Sequence, residues 1–153
     1  MKRNHVLLAV GALVIISGAY FMAQAKGLRN NNPLNIKYSG DKWQGMTGTD
    51  GPFVVFETPK HGLRAAGRIL RTYAHTHQLR DIEGIVSRWA PPSENDTENY
   101  IEFVTTKTGL PRNQALDRNT YPQVLAAMIH MENGSQPFSL DEIRQGFEWG
   151  FYG

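Results

Sequence analysis

Glu132 stands in the stretch 120–134, TYPQVLAAMIHMENG, seven residues after Leu125 and four after Met128. At helical spacing those three residues share one face, so the carboxylate falls on an apolar stripe. Pro122 suits the first turn of such a helix and Asn133-Gly134 supplies its stop, which places Glu132 in the last turn. Burial disfavours the charged carboxylate, and so does the negative end of the helix dipole. An acid that keeps its proton near neutral pH suits proton donation to a leaving glycosidic oxygen. The plainer alternative is that Glu132 turns outward and pairs with Arg118 or Arg144.

Other chemistries find little support. Cysteine is absent, which removes disulfides, thiolate nucleophiles and thiolate metal sites. His75-x-His77 lacks a third ligand, and His130-x-Glu132 resembles part of a deaminase pattern without its cysteines. No glycine-x-serine-x-glycine elbow and no phosphate-cradling glycine motif occurs. The reading therefore rests on carboxylates and implies no metal or cofactor.

The elements that must position Glu132 are mostly helical. Thr58-Pro59 opens a helix with Leu63, Ala66, Leu70 and Tyr73 on its buried side. A second spans about 81–89, with Trp89 read as core, and ends at Pro91-Pro92. A third carries Tyr100, Phe103 and Val104, with Asp96 or Thr97 as cap and Gly109 as close. Ser139-x-x-Glu142 is a capping box for a terminal helix through Ile143 and Phe147. Before these, 35–38 and 53–56 read as strands flanking a glycine-rich connection, a small hairpin-like lobe. Its asparagines, Asn31, Asn32 and Asn35, and the neighbouring Trp43 offer amides beside an aromatic platform, a combination suited to sugar hydroxyls and acetamido groups. A loop of good turn formers is the structural alternative.

Residues 1–25 form a separate segment: Lys2 and Arg3, no acid, then 17 apolar-rich residues from 6 to 22. This predicts one N-terminal transmembrane or signal helix, with membrane contact through residues 6–24. Ala23-Gln24-Ala25 offers a cleavage site, whereas the length of the run and Tyr20-Phe21 favour an anchor. Either way residues 26–153 form one domain on the non-cytoplasmic side, anchored in a virion membrane or facing the host periplasm, or else exported there as a soluble protein. Lys2 and Arg3 account for two of the 16 basic residues, and the remaining 14 match 14 acidic ones, so nothing argues for nucleic acid. Arg64, Arg68 and Arg71 nevertheless form a basic stripe, either a solvated face or an attraction for anionic polymer or lipid.

Residues 129–134, IHMENG, followed by Pro137, resemble the catalytic segment of the lysozyme-like superfamily. The stretch 31–36, NNPLNI, with Trp43-x-Gly45 and Phe53-x-x-Phe56, is similar to the β-lobe signature of autolysin-type glucosaminidases and lytic transglycosylases. Residues 94–97 with Tyr100 and Val104 resemble the cleft tyrosine region of the same superfamily. Over 27–134 the chain resembles small phage-encoded, virion-associated peptidoglycan-degrading proteins, with RNNNPLNI and RWAPPSENDTENYI as the most specific stretches. In the usual order the catalytic glutamate precedes the β lobe, so Glu132 implies a circularly permuted arrangement. Chain termini that lie close together make such an arrangement physically reasonable.

The resemblance implies an α+β, mostly helical lysozyme-like domain that cleaves the β-1,4 bond of peptidoglycan glycan strands, as a lytic transglycosylase or muramidase-type glycosidase, for phage penetration of the wall or host lysis. Glu132 is the expected acid, with Glu94 as runner-up. Asn31, Asn32, Asn35, Trp43 and Tyr100 are the expected substrate-binding residues. Hydrolysis requires a second carboxylate, for which Asp50, Glu57 and Glu94 are candidates, whereas transglycosylation manages with one. The rival expectation is a catalytically silent, membrane-tethered glycan-binding module or virion component.

Overall fold

The computed structural model describes residues 24–153 throughout, and the backbone of 13–16 and 19–22. Two short strands, β1 (Leu13–Ile16) and β2 (Ala19–Met22), pair antiparallel with Leu13 opposite Met22 and Ile16 opposite Ala19. This corrects the single helix expected across 6–22. Val14, Ile15 and Ile16 are β-branched, Tyr20 and Phe21 are aromatic, and all favour extended backbone. No helix among the described residues is long and apolar enough to cross a membrane. The remainder of residues 1–23, with the cleavage motif's Ala23, lies outside the described residues.

The body is mostly helical with one small two-stranded sheet. A single helical turn, α1 (Lys26–Arg29), leads into the asparagine loop. Strands β3 (Met46–Asp50) and β4 (Phe53–Phe56) then form a hairpin whose turn uses Gly51 at φ 57° before Pro52. The expected strand at 35–38 contributes only one bridge, Lys37 to Phe53. Asn35 explains the difference, because its φ of 53° is left-handed and breaks an extended run. The real partner strand, MTGTD, lacks the apolar alternation that would have marked it.

Five helices follow: α2 (Pro59–Thr76), α3 (Ile82–Trp89), α4 (Thr97–Thr108), α5 (Thr120–Asn133) and α6 (Leu140–Phe151). Their ends use the expected residues. Thr58 and Asp81 accept from backbone N–H groups of their first turns, Asp96 caps α4, Gly109 closes it in left-handed geometry, and Ser139 with Glu142 forms the capping box. Helices α2 and α6 cross closely because glycines line the contact: a Cβ on Gly67 or Gly150 would collide with the opposite backbone. Helix α5 is buried nearly all round, with Leu125, Met128 and Ile129 inaccessible to solvent. It is the pillar of the core, and the site lies at its C-terminal end.

Candidate active site

Glu132 occupies the last turn of α5, and Gly134 in left-handed geometry ends the helix there. The residue is only 8% exposed. Arg118 and Arg144 do not reach it: Arg118 pairs with Glu148 at 2.7 Å and Arg144 lies 3.7 Å from Asp141. The outward-facing alternative is thereby excluded. Two neutral donors hold the carboxyl instead. Asn35 Nδ2 donates to Oε1 at 3.2 Å, and the Tyr100 hydroxyl donates to Oε2 at 3.1 Å.

Burial pushes the Glu132 pKa up to about 7, against the opposing pull of the Asn35 and Tyr100 hydrogen bonds and of the Lys37 charge. Desolvation therefore wins, because the nearby dipoles solvate the anion less well than water does. The same burial, reinforced by the adjoining carboxylate, drives the Tyr100 hydroxyl well above its ordinary range, so it remains a proton-bearing donor.

Glu132 and Asn35 line an open cleft of about 550 Å³ whose walls include Phe53, Trp89, Glu94 and Asn95. Trp89, read from the sequence as core, is half-buried and forms part of that wall, edge-on to Tyr73 at 6.2 Å between ring centroids. An aromatic wall, amide neighbours and one largely buried carboxyl thus meet in a single cleft.

The predicted site residues divide into three groups. Glu132, Asn35 and Glu94 meet in the cleft, with Glu94 exposed and Lys37 3.4 Å from its carboxylate. Tyr100 is 1% exposed, so it touches Glu132 and not the open space. Asn31 and Asn32 build the loop: Asn31 donates to the Phe56 and Glu57 carbonyls, while the wholly buried Asn32 donates to Ile36 and Val54 and accepts from the Ile36 N–H. Trp43 lies outside the Glu132 cleft, lining an adjoining groove with its indole nitrogen buried. Of the candidate second carboxylates, Asp50 sits beside Lys26 at 3.8 Å and Glu57 is exposed at the end of β4, and neither lines the cleft.

Over an alignment of 162 residues spanning the whole of both chains, the sequence is 56% identical to Protein P5 of Pseudoalteromonas phage PM2. The chain belongs to the Protein P5 family. No family model matches it.

In this Protein P5 relative two residues outside the expected site complete it. Asn133 donates to the Pro33 carbonyl at 2.7 Å and to its own helix at Ile129 at 2.9 Å, tying the asparagine loop to the end of α5. Gly27 packs against that junction: a Cβ there would lie 2.5 Å from Asn133 Oδ1 and 2.7 Å from Asn35 Oδ1. Asn133 immediately follows the acid and belongs to the expected helix stop, but neither signal marks it as the tie to the asparagine loop. Gly27 carries none, because its φ is ordinary and the need for glycine comes from the distant loop.

Proposed function

We propose that this protein cleaves the β-1,4 bond between N-acetylmuramic acid and N-acetylglucosamine in peptidoglycan, with Glu132 as the proton donor, on a lysozyme-like body in circularly permuted order. The observation that carries the reading is a buried carboxyl, proton-bearing up to a pH of about 7, set by two fixed donors at the wall of an open cleft. The phage source of Protein P5 agrees with a role in breaching a bacterial wall.

In the proposed reaction Glu132 gives its proton to the glycosidic oxygen as the bond to the muramic anomeric carbon breaks. The resulting carboxylate, still held by Asn35 and Tyr100, then takes the proton of the muramic 6-hydroxyl while that oxygen attacks the same carbon. The product is a 1,6-anhydro end, and Glu132 regains its proton. Glu94 shares the cleft and is the carboxylate available to direct water instead, which would leave a reducing end. The apolar 6–24 segment is proposed to bring the body to the membrane, beyond which its substrate lies.

The test is mass spectrometry of purified sacculi digested with the full chain beside Glu132→Gln. Anhydromuramic ends that vanish in the variant are expected. Reducing ends would transfer the reading to hydrolysis, and equal digestion by the variant would remove Glu132 from it. No soluble fragments from the wild type would favour the glycan-binding module.

A further inference from the structure

Two residues of the basic stripe on helix α2, Arg68 and Arg71, face a second groove, whereas Arg64 lies over Trp149. Arg68, Arg71, His75 and Arg88 line a cavity of about 540 Å³ together with Trp43 and Lys37. It shares Ile36, Lys37, Ile69 and Tyr73 with the Glu132 cleft, so the two hollows meet along one wall. Asp41 is the one acidic residue lining it and accepts from Ser39 Oγ at 2.9 Å, while Lys37 faces Glu94 across the shared wall at 3.4 Å.

The arginines keep donors available. Arg68 and Arg71 each give one Nη1 donor to the backbone oxygen of Gly153, the last residue of the sequence, at 3.2 Å, and among the described residues neither forms an ion pair with an acidic side chain. The Arg88 guanidinium rests 5.4 Å from the Tyr73 ring centroid, on the partition between the two hollows. The Trp43 indole N–H is buried and has no acceptor among the described residues, an unusual state for a buried donor.

A neutral glycan does not require such a groove. The muramic acid of the same polymer, however, bears a lactyl group from which a short peptide with free carboxylates branches. Planar guanidinium groups match carboxylates in geometry as well as charge.

We propose that this groove binds the carboxylates of the stem peptide on the strand whose sugars occupy the Glu132 cleft. The assignment rests on the glycosidase reading above and makes the protein selective for peptide-bearing murein. Arg71 and Arg88 grip the carboxylates, and the Trp43 ring lines the same groove and reports on its occupancy.

The test has a binding arm and a turnover arm. In the first, free stem peptide is titrated into the full chain carrying Glu132→Gln, and the indole N–H resonance of Trp43, assigned through Trp43→Phe, is followed by NMR. A saturable shift is expected, weakened about tenfold by Arg71→Gln with Arg88→Gln, and also weakened by Arg88→Gln alone, whose site is exposed and leaves the core untouched. In the second, the wild type is given intact sacculi and glycan strands stripped of peptide by an amidase. The double variant should lose the preference for intact sacculi through KM while its rate on stripped strands is unchanged.

An unshifted Trp43 resonance, arginine variants that bind like wild type, or inorganic phosphate acting as strongly as the peptide would each overturn the proposal. Peptide binding by a wild type that cleaves neither substrate would keep the groove and overturn the glycosidase reading. Cleavage of both substrates without peptide binding would do the reverse.

Discussion

Replacing Glu132 by glutamine should stabilise the protein at alkaline pH and leave it inactive. The carboxyl is 8% exposed and its pKa is raised from the ordinary 4.5 to about 7 by burial. In the unfolded chain it ionises near 4.5, so between these values the native state binds more protons. Stability must therefore fall as pH rises through that window. At roughly 1.4 kcal/mol per pH unit, the ionised carboxylate costs about 3 kcal/mol above pH 7. Glutamine removes that cost. Its amide can accept from only one of the two donors: with its oxygen toward Asn35, its NH2 faces the Tyr100 hydroxyl, which must then accept instead of donate, a loss of about 1 kcal/mol at every pH. The expected net is about 2 kcal/mol of added stability at pH 8 and about 1 kcal/mol lost at pH 4. Urea unfolding of both proteins at the two pH values reads this directly. With a slope of about 2 kcal/mol per molar, the midpoint difference should change by about 1.5 M between pH 4 and 8. A difference that does not vary with pH would refute the reasoning, since Glu132 would then titrate as an ordinary surface acid.

Other outcomes follow from the same geometry. Tyr100→Phe removes a donor that favours the Glu132 anion, so the alkaline limb of the pH–rate profile should move up by about one unit, measured as kcat/KM on sacculi. Asn133→Ala unties the Pro33 carbonyl from α5 and should lower stability by about 1–3 kcal/mol in urea unfolding, with loss of activity greater than the loss of folded protein. Gly27→Ala forces a methyl group against the Asn35 and Asn133 amides and should reduce kcat at least tenfold while the far-ultraviolet circular dichroism is retained. Gly150→Ala wedges α2 from α6 and should lower the melting temperature by several degrees, from a loss of about 1–3 kcal/mol.

The helices were readable because their punctuation is local. Thr58-Pro59, Asp96, Gly109 and the Ser139–Glu142 box each act within a few residues, and the structure uses every one. Glu132 was readable for a related reason: a carboxylate on an apolar face contradicts its surroundings, and the contradiction shows in the spacing alone. The β lobe was less legible. Asn31 and Asn35 adopt left-handed backbone, at φ 52° and 53°, which their residue type permits without requiring. The partition of the three asparagines between loop framework and acid-holding donor depends on strand β4 and helix α5, which arrive later in the chain. Trp43 was legible as an aromatic near the site, but its groove is formed with Arg68 and Arg88 from two other helices. At the N-terminus, hydrophobicity alone suggested a helix, whereas the β-branched run at 14–16 was the better guide to the backbone of the described quartets.

The donors to Glu132 come from 97 and 32 positions earlier in the chain. During synthesis, Asn35 and Tyr100 emerge long before the acid, and α6, which packs on α2, emerges last. A nascent fragment lacking α5 contains the loop and the aromatic wall but not the buried Glu132 carboxyl. On the proposed reading, activity is timed by chain completion: a cell producing this protein would meet no competent site until nearly the whole body has left the ribosome. A single proteolytic cut followed by separation anywhere between residues 36 and 131 would disarm it just as completely.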